Sequence, residues 1–380
     1  MSKKLKLAVL LLNGYDNDSR VIKETNTLKH YFSTDVFALN HGTDPKKQDI
    51  SDNLTIYKTI YYKKPRNFVL KKLYQLWVYI SYLTMILPKL RKYDIVHCND
   101  LETLPFGVLA KLFNRQLKVI YDAHEYETET LSQKGMKKKI SKLLEKTLIP
   151  YTDKILTVSN AIADEYKKLY NIEKPTLVLN TPPFQKIKKK NIFREKFDIS
   201  EQQTIFLYQG GFSKGRGIEI LLETFASINN EKIVAVFMGY GPLEDMVQQY
   251  AHTHKNIYFH PAVEPNILLD YTSSADFGLL FYENNCLNHY YCSPNKMFEY
   301  LMAEIPVIVS NLYEMKKIIE QHDVGIVVND FTVDGLQNVL HDAIRLDKQK
   351  LHQNILAVKS IYNWEKQEEN LLHAYGIEVI

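Results

Sequence analysis

Residues 293–310 read Ser-Pro-Asn-Lys-Met-Phe-Glu-Tyr-Leu-Met-Ala-Glu-Ile-Pro-Val-Ile-Val-Ser. This stretch predicts a loop, a helix that begins near Pro294, and a buried β-strand at its end. The pattern brings a cation, Lys296, and a carboxylate, Glu299, close to a helix N-terminus. Free backbone N–H groups and the helix dipole favour phosphate there, and a carboxylate accepts hydrogen bonds from sugar hydroxyls. The stretch therefore indicates a ligand with both phosphate and hydroxyl groups, such as a sugar nucleotide.

The whole chain alternates apolar strands with helix-length segments, which predicts parallel sheets covered on both faces. Its 380 residues exceed what one hydrophobic core usually supports, and residues 180–190, Asn-Thr-Pro-Pro-Phe-Gln-Lys-Ile-Lys-Lys-Lys, are typical of a linker. We therefore expect an α/β protein with two Rossmann-like doubly wound domains that face a cleft. The predicted strands are 5–12, 34–39, 54–60, 95–98, 118–122, 154–158, 176–179, 204–209, 233–238, 257–260, 277–281, 306–310 and 325–328.

Composition places the chain among ordinary globular proteins, with 45% hydrophobic and 24% charged residues. The charge is unevenly divided. Residues 1–190 carry 34 Lys+Arg against 19 Asp+Glu, a balance of +15, whereas residues 191–380 carry 14 against 25, a balance of −11. A basic half suits an anionic membrane or an acidic acceptor, and the absence of a nucleic-acid motif disfavours nucleic acid. Cys98, Cys286 and Cys292 have no metal-ligand spacing, and without a secretory leader we expect a cytoplasmic protein.

Two stretches combine basic and apolar residues. The run Leu76–Leu87 has 12 residues, too few to cross a bilayer, which takes roughly 20. It follows the basic segment Lys63-Lys-Pro-Arg66, and a second basic stretch, Lys134–Lys146, carries aliphatic residues at helical spacing. Such helices either lie in an anionic membrane interface or pack on a core with a solvated basic face, and the pattern leaves both open.

Four loops follow predicted strands at the sheet edge where ligands of open parallel sheets collect. They are 13–20, 210–217, 239–242 and 293–299. Their glycines allow a close approach of the backbone to a ligand, and cations such as Arg216 supply charge where a diphosphate would lie. A glycine after a strand is more often a plain turn, but several such loops with cations favour phosphate binding.

These motifs resemble those of the family 4 retaining glycosyltransferases of the GT-B fold. The resemblance includes Asp18-Ser-Arg20, Tyr93-Asp-Ile-Val-His-Cys-Asn-Asp100 and Asp122-Ala-His-Glu125, and it is strongest in residues 293–310. It implies a sugar transferred from a nucleotide-sugar donor, first of all a UDP-sugar, to a glycan or lipid-linked acceptor. The expected setting is bacterial cell-surface polysaccharide synthesis, in the cytoplasm or peripherally on the inner face of the membrane.

The resemblance also implies a division of labour along the chain. An acceptor-binding domain would span residues 1–185, a nucleotide-sugar-binding domain 186–362, and a final helix at 363–380 would return to the first domain. Neither a metal nor another cofactor is expected. Asp16-Asn-Asp18 matches the metal-binding Asp-x-Asp pattern, but short acidic triplets are usually turns or helix caps, so no metal is assigned.

Site residues follow from the same resemblance. Arg216 and Lys296 would neutralise the departing diphosphate, Glu299 would hold ribose hydroxyls, and His97 would reach the donor sugar. Donor contacts would come from Gly14, Gly210, Gly211, Gly239, Gly241, His260, Val263, Ser293, Pro294 and Asn295. Acceptor contacts would come from Asp18, Arg20, His124 and Glu125. From the residues alone, Asp18 is equally a helix cap, Arg20 equally a partner of a neighbouring acid, and His124 equally a structural histidine.

Two positions depart from the family pattern. Tyr291 stands where the family often has the first of two glutamates, and Gly211 replaces an arginine of the phosphate-binding loop. Tyr290 and Tyr291 suit either packing or stacking on a sugar. Three functions therefore remain: a transferase, a sugar-nucleotide epimerase of the same architecture, and an inactive donor-binding scaffold. The basic first half and the motif match favour transfer.

Overall fold

The computed structural model describes residues 4–40, 45–61 and 67–378. It divides into two compact units, Met1–Val178 with Glu368–Ile380, and Leu179–Gln367. Both units are α/β, and the parallel order of their strands brings the strands' carboxyl ends to one edge of each sheet.

The first unit is built on an eight-stranded sheet. Its strands are β1 (Lys6–Leu10), β2 (Ser33–Asn40), β3 (Lys47–Ser51), β4 (Leu54–Tyr61), β5 (Ile95–Asn99), β6 (Lys118–Ala123), β7 (Lys154–Thr157) and β8 (Thr176–Leu177). Its helices are α1 (Ser19–Leu28), α2 (Phe68–Leu90), α3 (Asp100–Phe113), α4 (Gly135–Leu148) and α5 (Asn160–Tyr170). The sheet order is β3-β4-β2-β1-β5-β6-β7-β8. The β3–β4 pair is antiparallel, and the other pairs are parallel.

The second unit has a six-stranded parallel sheet in the order β11-β10-β9-β12-β13-β14. These strands are β9 (Thr204–Gly211), β10 (Ile233–Tyr240), β11 (Ile257–Pro261), β12 (Phe277–Leu280), β13 (Val307–Ser310) and β14 (Gly325–Val328). The helices are α6 (Ile192–Phe197), α7 (Ile218–Ser227), α8 (Glu244–Thr253), α9 (Leu268–Thr272), α10 (Leu287–Tyr291), α11 (Asn295–Met302), α12 (Tyr313–His322), α13 (Val333–Ala343), α14 (Lys348–Lys359) and α15 (Trp364–Ala374), whose end belongs to the first unit.

The core of the second unit explains why its central strands read as continuous apolar runs. Phe206 on β9 stacks on Phe277 of β12, and Phe225 of α7 and Phe237 of β10 lie within the same fully buried cluster. Helices cover both faces of such a sheet, so the strand residues need no alternation of apolar and polar side chains. Full burial of one such side chain contributes about 1.5–3 kcal/mol.

The prediction of an α/β protein with two parallel-sheet domains is confirmed. Every predicted strand is present, with ends that differ by at most two residues. The sequence did not reveal β3, because Lys47–Ser51 is a mostly polar, exposed edge strand without an apolar pattern. The basic segment 63–66 lies outside the described residues. Among the helices that the structure describes, none is long and apolar enough to span a bilayer.

Candidate functional site

Glycines near the ends of two neighbouring strands of the second unit allow close packing, one against a lysine and the other against the backbone beside it. Gly210 has φ = +121°, and a Cβ there would lie 2.0 Å from Cε of Lys296. A Cβ on Gly239 would lie 1.8 Å from the carbonyl oxygen of Gly210. Any larger residue at Gly210 would both strain the backbone and displace the lysine. Gly210 near the end of β9 and Gly239 near the end of β10 are therefore required by close packing.

Lys296 and Glu299 lie on α11, the second and fifth residues of that helix. Burial lowers the pKa of the Lys296 ammonium group. The nearby carboxylate of Glu299 opposes that shift, whereas the positive charge of Arg216 adds to it. Pro294 is the N-cap and makes no side-chain capping bond to the first turn. Ser293 before it is 6% exposed, and its Oγ has no hydrogen-bond partner among the described residues. The start of α11 thus offers polar groups that the protein itself leaves unsatisfied, as an anion site requires.

Two neutral amides hold the Glu299 carboxylate. Gln209 Nε2 donates to Oε2 at 2.7 Å, and Asn295 Nδ2 donates to Oε1 at 3.2 Å. Each carboxylate oxygen has a second lone-pair direction and can accept a further hydrogen bond. The carboxylate therefore keeps part of its accepting capacity for a ligand.

Arg216 completes the cationic side of this site. Its guanidinium lies 5.3 Å from the ring centroid of Tyr282, a cation–π contact that orients it. Burial raises the pKa of Tyr208 to about 12, and the neighbouring Arg216 opposes that rise. Lys214 on the same loop is exposed. The structure thus brings Arg216, Lys296 and Glu299 into one electrostatic neighbourhood.

In the first unit, the predicted acceptor residue Arg20 lies in a buried ionic cluster. Arg20 is 2% exposed and donates to both oxygens of Asp122, Nε to Oδ2 at 2.8 Å and Nη2 to Oδ1 at 2.7 Å. Its Nη1 donates to the Val178 carbonyl oxygen at 2.6 Å, and its Nε is 3.0 Å from Glu24 Oε1. Burial raises the pKa of Asp122, but Arg20 and His124 outweigh that effect and hold it well below its usual range.

His97 belongs to the same cluster. Its side chain is fully buried, with Nδ1 2.6 Å from the Tyr375 hydroxyl and Nε2 3.5 Å from Glu24 Oε2. Glu24, His97 and Asp122 are close enough to share a metal ion, but the Arg20 guanidinium already bonds Asp122 and lies beside Glu24. The Arg20 guanidinium therefore already supplies a positive charge to these acids. Burial and Asp122 raise the pKa of Glu24 to about 8, although Arg20 opposes them.

His124 links the cluster to a cavity of about 530 Å³ beyond the ends of β5 and β6. Its Nε2 lies 3.1 Å from Asp122 Oδ2 and 3.0 Å from Asn99 Oδ1. Burial by itself lowers the pKa of His124, but Asp100 and Asp122 outweigh it and raise the pKa to about 10. The cavity lining includes Asp100, Glu102, His124, Glu125, Glu127 and Lys137.

Known families match both halves of the chain. The Glycosyltransferase Family 4 model matches residues 28–181, and the model described as Glucosyltransferase 3-like, C-terminal domain matches residues 222–363. The chain belongs to the glycosyltransferases. No curated protein sequence matches it.

Solved structures of similar fold cover nearly all of this glycosyltransferase. Sucrose-phosphate synthase from Thermosynechococcus elongatus has a TM-score of 0.75 and 16% identity over 98% of each chain. HepE from Anabaena, in complex with UDP-glucose, has a TM-score of 0.73 and 13% identity over 98% of this chain and 99% of that one. The UDP-forming trehalose-phosphate synthase from Burkholderia vietnamiensis has a TM-score of 0.72 and 11% identity over 98% and 100%. The expected GT-B fold is confirmed.

The remaining predicted site residues of this glycosyltransferase lie in varied surroundings. Asp18 caps α1, its Oδ1 accepting from the Val21 N–H at 3.2 Å, and Gly14 precedes a short 3₁₀ helix at 15–17. His260 is 4% exposed and packs against Phe193 and Tyr271. Val263 is half-buried and Glu125 is exposed. A Cβ on Gly241 would lie 2.6 Å from the Phe212 carbonyl oxygen, whereas one on Gly211 would meet nothing within 4 Å. The contacts predicted between these residues and the substrates stay predictions.

Tyr290 and Tyr291 pack against each other and against Tyr313, with ring centroids 5.0–6.1 Å apart. The Glu299 partner Gln209 was missed by sequence reasoning. Its one signal was a polar residue at the end of an apolar strand, directly before Gly210.

Proposed function

We propose that this glycosyltransferase transfers a sugar from a nucleotide-sugar donor, first of all a UDP-sugar, with retention of anomeric configuration. The observation that carries the proposal is the shared neighbourhood of Lys296, Arg216 and Glu299 at the start of α11. Two cations and a helix N-terminus suit a diphosphate, and the carboxylate suits ribose hydroxyls. HepE in complex with UDP-glucose and the UDP-forming synthase make UDP the first nucleotide to test.

The chemistry follows from charge. When the bond between the sugar and the diphosphate breaks, negative charge grows on the departing phosphate. Lys296, Arg216 and the first N–H groups of α11 would stabilise that charge because they are already oriented before the reaction. The acceptor hydroxyl would attack from the face that the phosphate leaves, and its proton would pass to that phosphate. We propose no metal, since side chains supply the positive charge.

The acceptor is proposed to bind the cavity of the first unit that His124 and Glu125 line. Asp100 and Glu127 lie in the same lining, and burial and Asp100 raise the pKa of Glu127 well above its usual range. Carboxyl groups accept hydrogen bonds, and one that keeps its proton also donates, so the lining favours ligand groups that do both, such as the hydroxyls of a glycan or of a lipid-linked sugar. Arg20 and His97 are proposed to shape this region from beneath through Asp122 and His124.

Helix α4 supports a peripheral position at the inner face of the membrane, in cell-surface polysaccharide synthesis. Met136, Ile140 and Leu143 are 69%, 60% and 64% exposed on α4, beside the exposed Lys139 and Lys146. Helix α2 also exposes large apolar side chains, namely Leu70, Leu73, Leu76, Trp77 and Ile80. Apolar side chains flanked by lysines fit an anionic lipid interface.

A flotation experiment tests this position. The protein should float with vesicles that contain anionic phosphatidylglycerol and not with neutral phosphatidylcholine vesicles. The double variant Ile140→Gln, Leu143→Gln should lose flotation, whereas Leu169→Gln, at an exposed leucine of α5, should keep it. If both variants floated equally well, the apolar side chains of α4 would not be what binds the protein to the vesicles.

A donor panel tests the transferase. Purified protein is incubated with UDP-, GDP- and CMP-sugars, with and without lipid-linked acceptors, while released nucleotide is measured. Acceptor-dependent release from one donor supports transfer. Conversion of the sugar without nucleotide release would favour the epimerase, and binding without turnover would favour the inactive scaffold. If no donor binds, the proposal fails.

A further inference from the structure

The side chain of Gln209 connects Glu299 to the core of the second unit. Gln209 ends the apolar part of β9 and is 2% exposed. Its Nε2 donates to Glu299 Oε2 at 2.7 Å, and its Oε1 lies 2.8 Å from the Thr272 hydroxyl. A strand, helix α11 and helix α9 thus meet at one buried amide.

The chemistry of the partners fixes the orientation of this amide. An ionised carboxylate only accepts hydrogen bonds, so the NH₂ group must face Glu299 and the carbonyl oxygen must face Thr272. The Thr272 hydroxyl can donate to that oxygen or to the Leu268 carbonyl oxygen, both at 2.8 Å. With the amide reversed, two acceptor oxygens would face each other inside the protein, which is costly.

The attachment of β9 to α11 does not depend on this side chain. The backbone N–H of Gln209 donates to the Tyr300 hydroxyl at 2.9 Å, and that hydroxyl lies 3.1 Å and 3.2 Å from the carbonyl oxygens of Leu207 and Leu279. Tyr300 therefore ties the helix to two strands. The Gln209 amide is free to serve the carboxylate.

We propose that Gln209 is a positioning residue for Glu299, oriented by Thr272, and that it determines selection of ribonucleotide over deoxyribonucleotide donors. This rests on the proposed donor site. Gln209 holds Oε2 and Asn295 holds Oε1, so the carboxylate is fixed about its axis. Its remaining lone pairs would accept hydrogen bonds from the two ribose hydroxyls. A carboxylate fixed for two hydroxyls is penalised when the 2′-hydroxyl is missing, because one accepting position then lies unused.

The test compares UDP with 2′-deoxy-UDP by isothermal titration calorimetry. The wild type should bind UDP about tenfold more tightly than the deoxy form, as expected for a hydrogen bond to a charged group. Gln209→Met, which keeps the length of the side chain but cannot donate, should reduce that ratio to within about threefold. Thr272→Val should reduce it partly. The control Gln337→Met removes an exposed amide of the same unit that bonds Ser227, and it should keep the full ratio.

The outcomes separate this inference from the proposed function. If no nucleotide binds the wild type, the donor site itself is wrong. If UDP binds and Gln209→Met keeps the wild-type ratio, Gln209 is only structural and the inference is overturned. A purely structural role would weaken both nucleotides equally, so a parallel loss of affinity also overturns it. Should Gln209→Met not fold, Thr272→Val decides by the same ratio.

Discussion

The two units treat their charged groups in opposite ways. In the first unit, Arg20 and Asp122 are buried, and each neutralises the other. In the second, Lys296 and Glu299 share one helix turn, and neutral amides hold the carboxylate. Charges that are buried and paired stabilise or shape a fold, whereas charges held by neutral groups remain available to a ligand. The difference locates the proposed donor chemistry in the second unit, although both units carry charged motifs.

The largest expected effect comes from breaking the buried pair. Asp122→Asn removes the carboxylate that accepts from both Nε and Nη2 of Arg20, with Glu24 as the one acid still beside the guanidinium among the described residues. It should lower the free energy of unfolding by about 3–5 kcal/mol, measured by urea denaturation. UDP affinity should remain unchanged, because Asp122 and the donor site belong to different units. Asp49→Asn, which breaks the exposed pair with Lys47, is the control and should change stability little. If both variants lost the same small amount of unfolding free energy, the buried pair would stabilise the fold no more than an exposed pair does.

Replacing Lys296 in the second unit should slow the reaction without destabilising the fold. Lys296→Met should reduce donor turnover about 100- to 1000-fold, because one preorganised cation for the departing phosphate is lost. The free energy of unfolding should not fall, because the substitution also removes the cost of holding the partly desolvated Lys296 charge in the folded protein. Lys232→Met, at an exposed lysine before β10, should keep full turnover. Full donor turnover by Lys296→Met would show that Lys296 does not stabilise the departing phosphate.

Two adjacent glycines provide a sharper comparison within the second unit. Gly210→Ala should cost about 1–3 kcal/mol of unfolding free energy, because its φ of +121° strains any other residue and its Cβ would meet Lys296. Gly211→Ala should change stability little, since a Cβ there meets nothing within 4 Å. Thermal and urea unfolding of both variants measure the difference. Similar stabilities would contradict the close packing of Lys296 over Gly210.

The smallest effect concerns pH and the first unit. The pKa of His124 is raised from 6.5 to about 10 in the folded protein, so its stabilising charge is fully present below pH 6.5 and is lost as pH rises toward 10. Between pH 7 and pH 9 the wild type should therefore lose about 2–2.5 kcal/mol more unfolding free energy than His124→Gln. Urea denaturation at both pH values measures this. An identical loss in the variant would show that other groups cause the pH dependence.

Much of the fold could be read from periodic patterns. Buried parallel strands such as β9 and β10 are continuous apolar runs, and local sequence is enough to find them. The edge strand β3 could not be found, because its pairing with β4 and not its side chains makes it a strand. At the site, the glycines and the Lys296–Glu299 spacing were readable because they are local. The buried positions of Arg20 and His97 could not be predicted, because an arginine or a histidine in the sequence can lie either on the surface or inside a core.

The sequence by itself determined the alternation of strands and helices, the helix start at 293–299 and the likeness to glycosyltransferases. The tertiary structure decided which charges meet. Arg20 bonds Asp122 across 102 residues, Gln209 bonds Glu299 across 90, and Tyr375 meets His97 across 278. Helix and strand patterns arise from neighbours along the chain, so sequence reveals them. Pairing between distant residues depends on strand order in the folded sheet, which no local pattern encodes.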